Sequence, residues 1–130
     1  MNNIELEKKV ISTARSLIYE KGYVCSVDML LRLGYLTKDA YESWRFGKIG
    51  YLEKACTTNL SKLSLINKTI RKVAFNLKLE PSLTPYNRYG KGPKTRLIFS
   101  KSANKNIEEA YATHYLDQMR INELKEKGNE

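Results

Sequence analysis

The sequence predicts a mainly α fold with one β-hairpin, an α+β class built as a compact helical cluster. Three observations predict it. Apolar residues recur at helical spacing over most of the chain. Capping residues and glycines mark off successive helical stretches. One late segment, "TRLIFS" at 95–100, is rich in β-formers and follows the turn residues Gly90, Gly92 and Pro93.

The first stretch puts Ile4, Val10, Ile11, Ala14, Leu17 and Ile18 on one helical face, with Asn3 as its cap and Gly22 as its stop. "YVC" reads as extended. Ser26 then caps "SVDMLLRLG", where Asp28 suits the positive end of the helix dipole, and Gly34 closes it. Thr37 caps "TKDAYESWRFG", stopped by Gly47, and "YLEKACTT" makes one or two turns. Asn59 or Ser61 opens a longer helix that ends before Pro81. Its apolar stripe is Leu60, Leu63, Ile66, Ile70, Val73, Ala74 and Leu77; Ser61, Ser64, Lys68, Arg71, Lys72 and Phe75 lie opposite.

"SLTPYNRY" and "TRLIFS" then form the hairpin, its first strand confined to an edge by Pro85. A final helix is expected from Asn104 or Asn106 through "IEEAYATHYLDQMRINELK", with Ile107, Ala110, Tyr111, His114 and Tyr115 inward. Residues 1–127 are expected to form one domain and 128–130 a frayed tail. The expected core includes Leu17, Leu30, Trp44, Leu52, Leu63, Ile70, Val73, Leu97 and Phe99; Phe46 is assigned to it beside Trp44, and Arg45 is expected to pair with Glu42 or Glu53. Helix pairs with tight turns ahead of a basic hairpin suggest a winged-helix-like arrangement. There the helix before the hairpin enters the major groove and the hairpin touches the backbone.

Charge is the strongest functional signal. The chain carries a net +9 at pH 7, and it is segregated. Residues 61–105 hold eleven cations against the single acid Glu80, residues 1–60 hold nine against seven, and residues 106–130 hold three against six. Such a field attracts phosphates. Within "YNRYGKGPKTRLIFSK", Arg88, Lys91, Lys94, Arg96 and Lys101 stand around a Gly-Lys-Gly-Pro turn with no acid. Tyr86 and Tyr89 offer rings for stacking, and the glycines let backbone amides approach an anion. Keeping a sheet edge from pairing takes only one or two lysines, fewer than this stretch carries. The expected partner is therefore nucleic acid, DNA slightly ahead of RNA. Contacts are assigned to Ser64, Lys68, Arg71, Lys72, Tyr86, Arg88, Tyr89, Lys91, Lys94, Arg96 and Lys101. The rival reading is a small adaptor or inhibitor that docks onto another protein.

Catalysis is not expected. His114 is the one histidine, with Asp117 alone at helical ligand spacing, and two ligands make no catalytic metal site. Cys25 and Cys56 lack an evident paired base and read as buried free thiols. No cofactor is implied. No apolar run reaches membrane-span length, and the N-terminus resembles neither a signal nor a transit peptide, so a cytoplasmic location is expected.

The segments "GYVCSVDMLLRLGYLT", "YESWRFGKIGYLEK", "NLSKLS", "PSLTPYNRYGKGPKTRLIFSK" and "EEAYATHY" together resemble a family of small bacterial proteins with no assigned activity, over roughly residues 22–115. The resemblance implies a bacterial or mobile-element source and transfers no catalytic residue, cofactor or partner.

Overall fold

The computed structural model describes residues 1–128, so the last two residues of the expected tail lie outside the described ones. The chain opens with α1 (Asn3–Lys21), β1 (Tyr23–Val24), α2 (Ser26–Leu33), α3 (Lys38–Arg45) and α4 (Leu52–Ala55). There follow α5 (Leu60–Asn76), β2 (Glu80–Leu83), α6 (Lys105–Ala112), β3 (Thr113–Leu116) and α7 (Gln118–Gly128). The fold is thus mainly α with a small antiparallel sheet.

Local chemistry sets most of the boundaries. Asn2, one residue before the expected Asn3, caps α1 by accepting from the Glu5 N–H at 2.8 Å. Thr37 and Asn59 cap α3 and α5 as their sequences predict, accepting from Ala40 N at 3.1 Å and Lys62 N at 2.8 Å. Gly22 ends α1 at φ 82°, and a side chain there would also strike Ile121 of α7. Ser26 does not cap α2. Cys25 occupies that position, and the buried Ser26 hydroxyl instead donates to Asn67 Oδ1 at 2.6 Å, tying α2 to α5.

The molecule has two differently built parts. In the first, α1 packs along α5 and α2, with Leu6, Val10, Ala14 and Leu17 in one core with Leu63, Ile66, Ile70 and Val73. In the second, the segments 35–58 and 84–112 fold onto each other around Trp44. Its ring meets Tyr86 at 5.6 Å and Phe99 at 5.3 Å, and Phe99 stacks on Tyr111 at 5.5 Å. The Trp44 indole N–H donates to Ile98 O at 3.0 Å, while Leu52 N and Glu53 N donate to Ile98 O and Phe99 O. All nine residues singled out for the core are buried.

The sheet runs β1-β3-β2, with Val24 opposite Tyr115 and Ser82 opposite His114. This corrects the expected single final helix. "THYL" leaves the helix because its β-branched and aromatic residues fill the middle of a sheet whose two other strands are otherwise unpaired. The expected hairpin is present but short. The strand after α5 pairs with β3, and the expected partners keep only the Asn87–Arg96 bridge, with Leu97 N donating to Tyr86 O and Arg88 N to Thr95 O, each at 2.8 Å. Ile98 O and Phe99 O accept from α3 and α4, and Phe99 N and Ser100 N donate to Glu108 of α6. Four apolar stripe assignments also change: Ile4, Leu60, Leu77 and Ile107 are exposed, and Leu6 takes the inward place on α1. Among the described residues no helix is long and apolar enough to cross a membrane.

Candidate nucleic-acid interface

α5 forms a ridge between two grooves. On one side a groove of about 1050 Å³ is walled by α6 and the Ser100–Ser102 segment; on the other, one of about 650 Å³ is walled by α1. Lys68 and Arg71 line both, so they stand at the crest. Ser64 and Lys101 face the first groove, and Lys72, Phe75 and Arg15 the second. Helical periodicity explains the crest: with Leu63, Ile66, Ile70 and Val73 turned inward, positions 64, 68, 71, 72 and 75 must point out.

The crest charge is available. Among the described residues Arg15, Lys68, Arg71 and Lys101 make no ion pair, and Lys72 has an exposed one with Glu7 at 3.7 Å. Such a surface pair is weak and salt-sensitive.

Two carboxylates that sequence reasoning left without this role hold the far wall. Glu108 accepts from Phe99 N at 2.9 Å, Ser100 N at 2.7 Å and the Ser100 hydroxyl at 2.6 Å. Glu53 accepts from Lys101 N at 3.1 Å and the Tyr111 hydroxyl at 2.8 Å. The segment that looked acid-free is therefore clamped by acids from α4 and α6. The signal was distributed over three distant stretches of chain, and no local pattern contains it. Glu109 stands exposed on the same groove, so its wall is mixed in charge.

The 87–96 loop is a separate basic surface. Lys91 and Lys94 are exposed on it and, like Arg96, make no ion pair among the described residues. Arg96 lies by a small pocket of about 200 Å³ with Lys105, Glu108 and Glu109. Arg88 folds back to donate to Lys91 O at 3.2 Å, and its stem rests on Gly47, whose φ of 77° and missing Cβ admit it.

The two tyrosines expected to stack on bases differ: Tyr86 is buried, and Tyr89 is 40% exposed beside Arg45 and Phe46. Tyr86 is only 8% exposed, its hydroxyl 3.1 Å from His114 Nε2 and its ring against Trp44 and Phe99; no base can reach that ring. Tyr89 holds the Arg45 guanidinium 3.9 Å from its centroid on one side and meets Phe46 edge-on. Arg45 makes neither expected ion pair. It donates to the Tyr41 hydroxyl and Asn87 O, with Tyr41, Tyr86 and Tyr89 around it. Phe46, assigned to the core, is 47% exposed, because Tyr86 takes the place beside Trp44.

His114 is half-buried in β3, stacked on Tyr23 at 5.3 Å, and burial pushes its pKa below the usual histidine value. Burial raises the Cys25 thiol to about 12, with Asp28 adding to the effect, and the half-buried Cys56 thiol to about 11. Both are therefore thiols near neutral pH. No cluster of three or more histidine, cysteine or acidic side chains poised for a metal occurs among the described residues. Comparison with protein-family models, curated proteins and solved structures finds no match to this chain.

Proposed function

We propose that the protein binds duplex DNA by laying α5 in the major groove, with the sugar-phosphate strands seated in the two flanking grooves. The observation that carries this is the ridge itself. Its crest bears Lys68 and Arg71 without ion-pair partners among the described residues, with Lys101 on one outer wall and Arg15 on the other. A major groove about 12 Å wide admits one helix, and cations on both sides of that helix match its two phosphate rows.

The order of connections supports the same reading. β1 lies between α1 and α2, β2 follows α5, and β3 takes the centre of the sheet. This is a winged-helix-like order, with segment 84–112 standing where a wing would be and 34–59 inserted before the groove helix. In it Lys91 and Lys94 reach the backbone as secondary contacts, and Ser64, Lys68, Arg71 and Lys72 lie in the major groove, the cations reaching its flanking phosphates as well as its base edges.

The test is binding of the purified protein to random-sequence duplex and single-stranded DNA and RNA at two salt concentrations. Tighter binding to duplex DNA that weakens steeply with salt is expected. Equal, salt-insensitive affinity for all of them would turn the surface into a docking site for an acidic protein.

A further inference from the structure

Phe75 is the least protected large apolar side chain of the molecule's described residues, 83% exposed near the end of α5. It continues the crest, seven residues beyond Lys68 and four beyond Arg71, and lines the α1-side groove with Arg15 and Lys72. No other element covers it among the described residues. A phenylalanine ordinarily gains from burial, and here the fold leaves it in water among cations. A base pair presents one apolar feature in the major groove, the C5-methyl group of thymine, and a phenylalanine ring is among the side chains that meet it.

We propose that Phe75 is a specificity residue that packs on a thymine methyl and biases the protein toward sites with A·T pairs at that end of α5. The inference deepens the reading of α5 as the groove helix and rests on it. Arg71 and Lys68, one and two turns earlier, supply charge to phosphates or guanine edges, while Phe75 adds contact that no cytosine or guanine returns. Its effect is independent of salt, because the ring is uncharged.

The experiment compares wild type, Phe75→Ala and Phe75→Leu on two short duplexes of one alternating A·T sequence, made either with thymine or with uracil in its place. Only the methyl differs. Wild type is expected to bind the thymine duplex about fourfold more tightly per methyl contacted, the scale of one buried CH2. Phe75→Ala is expected to bind both duplexes alike with the wild-type salt slope, and Phe75→Leu to keep part of the preference. An unchanged thermal midpoint verifies folding of both variants. Equal wild-type affinity for the two duplexes, or a preference that survives in Phe75→Ala, overturns the proposal. So does tighter wild-type binding to a single strand of thymidines that Phe75→Ala abolishes, since the ring then stacks on unpaired bases. If no oligonucleotide shows salt-dependent binding to wild type, the underlying reading of α5 fails first, a result distinct from the other three.

Discussion

On α5, Lys68 and Arg71 stand on a seventeen-residue helix capped by Asn59 and packed along α1. Lys91 and Lys94 instead stand on a loop closed by one bridge and two flanking backbone hydrogen bonds. The charge is alike and the support is not. Cations on a packed helix keep fixed spacings, so they can match a groove and its base edges. Cations on a short ladder adapt to phosphates wherever these lie, and contribute attraction without register. Cationic density alone ranks the loop above the helix; the support reverses that order.

Removing what supports the loop should have the largest effect on stability. Tyr86→Ala deletes a buried ring that touches Trp44, Phe99 and His114, and should destabilise the fold by about 3–5 kcal/mol in denaturant unfolding. Binding per folded molecule should fall little, because α5 lies in the other half of the core. A full loss of binding in molecules verified as folded would make the loop the principal contact.

A smaller effect is expected from the clamp. Glu108→Ala leaves Phe99 N, Ser100 N and the Ser100 hydroxyl without their charged acceptor, and should cost about 2–3 kcal/mol. It should also release Lys101 from the groove wall and lower duplex affinity severalfold. Glu108→Ala with unchanged stability would show that Leu52, Glu53 and Trp44 hold the segment without it.

How much of this was legible follows the same division. Thr37, Asn59, Gly22 and Gly34 act within a turn of their own position, so their roles could be read directly. The core stripe of α5 and its basic face were equally plain, since both depend on one local period. "THYL" could not be recognised as a strand, because its partners Tyr23–Val24 and Glu80–Leu83 are distant in sequence and its own pattern also fits a helix. Tyr86 and Phe46 exchanged roles for a related reason. Either ring could have filled the space beside Trp44, and only the crossing of segment 97–101 over α4 decides between them. Arg45 found tyrosines where carboxylates were expected, which no spacing along the chain announces.

The smallest effect concerns His114, which sits on the loop side through Tyr86. Burial lowers its folded pKa, so protonation favours the unfolded chain. Its contribution is full above the unfolded value near about 6.5 and is lost as pH falls below it. Thermal midpoints should drop slightly between about pH 7.5 and about pH 5, and part of that drop should vanish in His114→Gln. A wild-type midpoint that rises on acidification would contradict the assignment.

The proposed function makes the α5 ridge, and not the loop, the main phosphate-facing surface. Salt titration of duplex affinity tests it most directly, run on wild type, on Lys68→Ala/Arg71→Ala/Lys101→Ala, and on Lys91→Ala/Lys94→Ala/Arg96→Ala. Each lost phosphate contact reduces the slope of log affinity against log salt by about 0.9. The ridge variant is predicted to lose roughly 2 to 3 in slope, and the loop variant less than about 2, since Arg96 lies by a separate pocket that also holds Glu108 and Glu109. A loop variant that loses more slope than the ridge variant would contradict the claim.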